Sequence, residues 1–365
     1  MTESQPTVET LREALTGVIE PGSRRDVVAL GFVRNVAFEN GIATVSYQLP
    51  NGTPESFQNY LRQTTCDVLL KTPGVEAVNA EIAIAPPQPP PTAAPPMPGI
   101  KHVVAVGAGK GGVGKSTIAL LAAVGLTRLG RKVGLLDADV HGPSIPKLSG
   151  TESMQPVPDE EGRIVPPEKH GIKFMSMGYL VAPDQAVIWR GPMAQKYIKE
   201  FLDRAAWGEL DYLIIDLPPG TGDIPLTLAQ SVPLTGAVIV CTPQDVALLD
   251  AIKALHMYEK LGVEPLGIIE NMSYYICPHC GNRDEIFSHG GAEKAAADLN
   301  VPFLGAIPLN IAIRKNGDAG EPTANFTAIE PHLIASLEQF VARLDQLVTE
   351  RAREKTPLPT LKISG

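Results

Sequence analysis

The apolar positions of this chain follow two rhythms. Beyond residue 100, short uninterrupted runs recur: His102-Val103-Val104-Ala105-Val106, Lys132-Val133-Gly134-Leu135-Leu136, Tyr212-Leu213-Ile214-Ile215, Gly236-Ala237-Val238-Ile239-Val240-Cys241, Leu266-Gly267-Ile268-Ile269 and Pro302-Phe303-Leu304-Gly305-Ala306-Ile307. Runs without polar alternation suit strands buried on both faces, the condition of a parallel sheet. Between them lie segments spaced for helices, among them Ile118 to Val124, Gly291 to Leu299, and Ala328 to Glu354 with Leu333, Leu337, Phe340 and Leu344 on one stripe. Strand and helix in alternation predict an α/β fold, a mostly parallel sheet covered by helices on both faces. Thr151 to Gln185, rich in prolines and charges, is expected to run outside that sheet.

The first 85 residues are patterned differently. Val8, Leu11, Leu15 and Val18 recur at helical spacing, and Ser56 to Lys71 forms a second expected helix. Val27 to Val33, Ile42 to Tyr47 and Val75 to Ile84 read as strands, with Asn40-Gly41 as a hairpin turn before the second. A small α+β domain over residues 1–85 is therefore expected, then a proline-rich linker over 86–99 in which extended polyproline geometry makes a spacer. The larger domain is expected over 100–355, with a mobile tail over 356–365.

Chemistry concentrates where the first strand of the large domain meets its helix. Gly109-Lys110-Gly111-Gly112-Val113-Gly114-Lys115-Ser116-Thr117 carries the Gly-x-x-x-x-Gly-Lys-Ser spacing of a phosphate-binding loop, in the strand–loop–helix context that the motif requires. Its glycines let backbone N–H groups turn toward phosphate oxygens, and the helix N-terminus adds positive potential. Lys115 is placed to reach the β- and γ-phosphates, and the Ser116 hydroxyl to bind Mg²⁺. The next strand ends in Asp137-Ala138-Asp139. Carboxylates there flank the ligand crevice of an open α/β sheet, Asp139 to orient the attacking water and Asp137 to hold Mg²⁺ through water. Capping of the following turn is the plainer reading of both acids. Tyr212 to Asp216 is a further strand ending in an acid, Asp216, suited to serve Mg²⁺, and Gly220 in the loop beyond can bring its N–H close to a γ-phosphate.

A second site follows the strand Leu266 to Asn271, which is expected to end at Asn271. Cys277-Pro278-His279-Cys280 can aim two sulfurs at one centre, as half of a zinc site, a redox dithiol or half of an iron–sulfur site. Structural zinc and a [4Fe–4S] cluster each take four protein ligands. Cys66 and Cys241 lie inside apolar surroundings, so a Cys₄ site needs a second chain, whereas His279 and His289 offer a zinc alternative within one chain.

These motifs carry a resemblance. The sequence Lys110-Gly111-Gly112-Val113-Gly114-Lys115-Ser116, with its early second lysine, is similar to the deviant Walker A class of P-loop ATPases. That resemblance implies a face-to-face homodimer in which Lys110 reaches the partner's ATP. It also implies that Asn271 reads the adenine edge while the segment at Pro308 closes over the base. With Asp137-Ala138-Asp139-Val140-His141-Gly142-Pro143-Ser144, the C-x-x-C and the small N-terminal domain, nearly the whole chain resembles the Mrp-type iron–sulfur carrier ATPases. Implied are ATP hydrolysis, a [4Fe–4S] cluster bridging two subunits at Cys277 and Cys280, and delivery to apo-proteins, with cluster-assembly scaffolds as further partners. The N-terminal domain of that family often carries a cysteine before its second helix, and Pro50 to Glu55 has none here. The rival is a positioning or partition ATPase, with a zinc-stabilised C-x-x-C loop.

Composition narrows the field further. A formal net charge of −9 over 365 residues argues against broad nucleic-acid binding, which needs Lys and Arg to neutralise phosphates. Met1 to Pro6 has neither a basic nor an apolar signal region, and no apolar run is long enough for a membrane span, so the expected location is cytoplasmic.

Overall fold

The computed structural model describes residues 6–21, 25–49, 53–84, 97–140, 142–180, 191–220 and 222–355. Expectations for Pro50 to Gly52, the proline-rich stretch up to residue 96, the turn at His141, the segment up to Arg190, Thr221 and the tail from residue 356 lie outside them. The chain divides into two compact units, Met1–Pro90 and Pro91–Gly365.

In the first unit, helices α1 (Val8–Ala14) and α2 (Glu55–Leu69) pack with a sheet of β1 (Val33–Glu39), β2 (Ile42–Leu49) and β3 (Ala77–Ile84). Strand β2 pairs antiparallel with β1 and parallel with β3. Its alternation sends Ala43, Val45, Tyr47 and Leu49 into a core shared with Leu11, Leu15, Leu61 and Leu69. The hairpin turn falls at Asn40-Gly41, with φ of 50° and 80°. The strand expected over Val27 to Val33 is not there, and β1 starts at Val33. The reason is local: the Asp26 carboxylate accepts the Ala29 N–H at 2.7 Å, and the Leu30 N–H returns to the Asp26 carbonyl at 3.0 Å. A side chain that offers the backbone a turn competes with the ladder. Val27 remains buried, which is what made the run read as strand.

The second unit runs β4 (Ile100–Gly107), α3 (Lys115–Arg128), β5 (Val133–Asp137), α4 (Ile145–Ser149), the two-residue strands β6 (Val157–Pro158), β7 (Ile164–Val165) and β8 (Glu168–Lys169), then β9 (Ile172–Ser176), α5 (Gly191–Arg204), β10 (Leu210–Asp216), α6 (Asp223–Ser231) and β11 (Gly236–Cys241). It continues with α7 (Asp245–Lys260), β12 (Pro265–Ile276), β13 (Arg283–Asp284), α8 (Gly291–Asp298), β14 (Phe303–Leu309), α9 (Ile311–Asp318) and α10 (Pro331–Lys355). The strands β14-β12-β11-β4-β10-β5-β9 lie side by side in parallel, with β8 and β13 added antiparallel. From β4 the chain visits β5 and β9 on one side, returns to β10 between β4 and β5, and then crosses to β11. That reversal opens a crevice at the carboxyl ends of the strands, where ligands bind in such sheets.

Each strand feeds two cores. Val104, Val106, Leu135 and Ile214 face Ile118, Leu121, Phe340 and Leu344 on α3 and α10. Val103, Ala105, Leu136 and Leu213 face Ile198, Phe201, Leu255 and Tyr258 on the helices of the other side. Among the described residues no helix is long and apolar enough to cross a membrane.

Two expectations are corrected in this unit. Thr151 to Gln185 does not stay outside the sheet, because β9 pairs with β5 along its length. Lys173 interrupts its apolar run, yet the ammonium is satisfied by the Trp207 carbonyl at 2.7 Å. Strand β12 does not end at Asn271 but continues to Ile276, where its extension is held by β13 and by Leu309 opposite Tyr275.

Candidate functional site

The register of the sheet assembles the acidic residues. Asp137 and Asp216 close β5 and β10 and face each other as pairing partners, both fully buried. Lys115, at the start of α3, reaches into this pair. Its ammonium lies 2.6 Å from Asp216 Oδ1 and 3.7 Å from Asp139 Oδ2, and donates to Ser116 Oγ at 3.3 Å. Burial raises the Asp216 carboxyl above the usual carboxylate range, against the opposing pull of Lys115 and the Ser116 hydroxyl. Asp137 is raised as well, by burial first and by the charge of Asp216 second. Asp137 accepts the Asp139 N–H at 3.1 Å, the Ile145 N–H at 3.2 Å and the Ser176 hydroxyl at 3.0 Å. Asp216 Oδ2, by contrast, is buried with no hydrogen-bond partner. A buried anionic oxygen lacking a donor, beside the Ser116 hydroxyl, is the donor set that a hard cation such as Mg²⁺ requires.

The loop itself is shaped by close approach. A methyl group at Gly109 would sit 2.1 Å from the Asp250 carbonyl on α7. Gly114 has φ of +82°, and a methyl there would sit 2.2 Å from Asn271 Nδ2. That amide donates to the Val113 carbonyl at 2.8 Å, so Asn271 grips the loop from β12. Gly111 and Gly112 lie exposed, Lys110 and Thr117 are half-exposed, and Val113 is buried. Pro308 is buried on β14, one position past Ile307, the pairing partner of Asn271. The Gly220 N–H donates to the Ala108 carbonyl at 2.8 Å. Reading a γ-phosphate would require that bond to open, because one N–H cannot serve both acceptors well.

Cys277 and Cys280 occupy the tip of the hairpin formed by β12 and β13, a turn closed by the Gly281 N–H on the Cys277 carbonyl at 2.9 Å. Cys277 is half-exposed and Cys280 exposed. The backbone N–H groups of Cys280 and His279, and the Cys280 thiol, hold the Cys277 thiol below the ordinary cysteine range. The other thiols are differently placed. Burial, and secondarily the charge of Glu270, push Cys241 up to about 12, and Cys66 belongs to the first unit. His289 is occupied elsewhere, 2.6 Å from Ser273 Oγ and edge-on to the Tyr274 ring. Among the described residues no group of three or more His, Cys, Asp or Glu side chains could hold a metal ion, so the zinc arrangement with His279 and His289 is not assembled in one chain. Ser176, Glu270 and Ser273 were not singled out in the sequence. Ser176 was hidden with its strand, Glu270 lies where an apolar strand is expected to close, and Ser273 lies beyond that strand's expected end at Asn271.

Residues 99–344 match the family model described as NUBPL iron-transfer P-loop NTPase, and residues 9–82 match the model of an iron–sulfur cluster assembly protein. An iron–sulfur cluster carrier protein of Synechocystis is 46% identical over 322 residues, 87% of this chain and 91% of its own. The carrier protein of Escherichia coli K12 is 41% identical over 88% of this chain and 90% of its own. A nucleotide-binding protein of Archaeoglobus fulgidus, solved in complex with ADP and with cobalt found in it, superposes with a TM-score of 0.55. It is 44% identical and covers 61% of this chain and 88% of its own. The septum site-determining protein MinD of Pyrococcus horikoshii, with Mg-ADP, shares the fold at 22% identity and a TM-score of 0.51, covering 68% of this chain and 98% of its own.

Proposed function

Since the chain belongs to the iron-transfer P-loop NTPase family, among the iron–sulfur cluster carriers, we propose that two copies hold one [4Fe–4S] cluster through Cys277 and Cys280 and deliver it to apo-proteins under the control of ATP. The observation that carries the reading is the position of the two thiols: half-exposed and exposed at a hairpin tip, directly after the strand whose Asn271 grips the phosphate loop. One chain supplies two thiolates there and a [4Fe–4S] cargo takes four, so a two-fold pair of chains completes the set. The exposure of Cys280 supports delivery, because a client thiolate could approach a cluster held at such a tip.

On the nucleotide side, the loop N–H groups cradle the phosphates of ATP, a reading supported by the ADP complex of the Archaeoglobus relative. Lys115 leaves a carboxylate for the β- and γ-phosphates, an exchange of one anionic partner for another that keeps its buried charge paired. Ser116 and Asp216 would hold Mg²⁺ and Asp137 would hold it through water, and the cation would supply charge neutralisation on the phosphates. Asp139 orients the attacking water, Lys110 reaches the partner's nucleotide, Asn271 and Pro308 enclose the adenine, and Gly220 exchanges Ala108 for the γ-phosphate. A cytoplasmic location belongs to the same reading.

The test is anaerobic loading with iron and sulfide, followed by transfer to an apo-protein with and without ATP. Loading is expected at about four irons per two chains, lost in both Cys277→Ala and Cys280→Ala, with ATP changing the transfer rate. Zinc held in place of iron, or iron uptake indifferent to both substitutions, would overturn the reading.

A further inference from the structure

The nucleotide loop and the cysteine pair are joined by one continuous strand, β12, and that strand contains a strained residue. Met272 has φ of +54°, in the left-handed region. A non-glycine residue persists there when its surroundings over-determine it. Those surroundings can be named on both sides. Toward the loop, Asn271 holds the Val113 carbonyl at 2.8 Å, and the Met272 Cε lies 3.8 Å from the position a methyl group would take at Gly114. Toward the cysteines, the buried Ser273 donates to Glu270 Oε1 at 2.5 Å and sits 2.6 Å from His289 Nδ1. Glu270 in turn accepts the Gly290 and Ala292 N–H groups at the start of α8, at 3.0 and 2.9 Å.

The ladder gives way at the same place. Pairing of β12 with β14 slips between Asn271 and Tyr275, so Met272 to Tyr274 are free of regular sheet register. At the far end of the slip, the Arg283 guanidinium covers the Tyr274 ring at 4.0 Å and Arg283 pairs with Ile276, which ties both arms of the hairpin into one body. A gripped residue, a strained residue and an anchored residue thus follow one another immediately before the hairpin.

We propose that Met272 is a positioning residue that transmits occupancy of the phosphate loop to the geometry of Cys277 and Cys280; the proposal rests on the carrier reading above. Nucleotide that shifts the Val113 carbonyl loosens the Asn271 grip. Met272 then relaxes toward extended backbone. The Ser273 anchor, held by Glu270 to the start of α8, prevents that change from dissipating into the sheet, so it emerges as a rotation of the hairpin tip.

The test uses the full chain without metal and follows maleimide labelling of Cys277 and Cys280 by peptide mass spectrometry, with no nucleotide, Mg-ADP or a non-hydrolysable Mg-ATP analogue. Met272→Gly, which removes both the strain and the side chain, is compared with Met272→Leu, which keeps both. Wild type and Met272→Leu are expected to change labelling rate about fivefold or more on nucleotide binding, a common size for coupling between sites, and Met272→Gly less than about twofold. Nucleotide titration and melting temperature, measured on the same samples, identify any variant that has lost binding or fold. A Met272→Gly protein that binds nucleotide and retains the full labelling response overturns the proposal, as does a wild type whose labelling ignores nucleotide. Iron loading of the wild type is scored separately: its failure defeats the carrier reading, whereas loading combined with either labelling result above defeats the proposal alone.

Discussion

Lys115 sits in a buried nest of carboxylates, 2.6 Å from Asp216 and 3.7 Å from Asp139, and the proposed mechanism gives these two neighbours different work. Asp139→Asn leaves the short pair intact. Nucleotide affinity is therefore expected to stay within about threefold while kcat falls on the order of 10²–10⁴-fold, as for the loss of a group that positions the attacking water. A binding titration beside single-turnover hydrolysis separates the two effects, and equal losses in both would contradict the assignment. Gly114→Ala tests the loop from the steric side. With φ of +82° and Asn271 Nδ2 at 2.2 Å from the new methyl, it meets both strain and a clash. Destabilisation of about 2–4 kcal/mol is expected in urea unfolding, and Gly114→Ala with Asn271→Ala should fall about 1 kcal/mol short of the summed single effects. Additive losses would mean that the two residues do not press on one another. At this scale the sequence was informative wherever spacing alone carries chemistry: the loop from Gly109 to Thr117, the strand-ending acids and the cysteine pair. What it hid was the partner of each group. No spacing rule ties Ser176 to Asp137 or the Gly220 N–H to Ala108, because those bonds join segments distant along the chain.

Elements were legible where the apolar run was unbroken. β4, β5, β10 and β11 are buried on both faces and read as such. β9 was missed because Lys173 breaks its run, and β1 was displaced because Asp26 makes a turn of residues that are otherwise apolar. The long helix α10 shows how an element is fixed in place. Its Asp345 accepts both Arg131 nitrogens, at 3.1 and 2.8 Å, and the Tyr212 hydroxyl at 2.7 Å. Burial alone would raise the Asp345 carboxyl, but the bonds from Arg131 and Tyr212 outweigh it and hold it below the ordinary value. A depressed carboxylate stabilises the fold above the unfolded pKa and loses that contribution as pH falls through the folded one. Asp345→Asn should therefore lower the melting temperature at neutral pH, and the gap from wild type should close as pH falls below about 4. A gap that widened in acid would reverse the sign of the shift.

At the scale of the whole molecule, the family was legible because its motifs are local. The proposed two-chain assembly is written in no spacing, because a two-fold contact leaves none in one chain; it rests on ligand counting and on the resemblance that gives Lys110 its role. The partition-type alternative shares the fold with MinD at 22% identity, whereas relatives at 41–46% identity over most of this chain are cluster carriers. The central claim is that two chains hold one cluster between them. It is tested most directly by co-producing differently tagged wild-type and Cys277→Ala/Cys280→Ala chains, isolating the mixed dimer and counting iron after anaerobic loading. A bridging site keeps only two of the four thiolates that a [4Fe–4S] cluster takes, so the mixed dimer is predicted to hold no cluster. Half the iron of the wild-type dimer would mean that each chain holds its own metal, and would contradict the account.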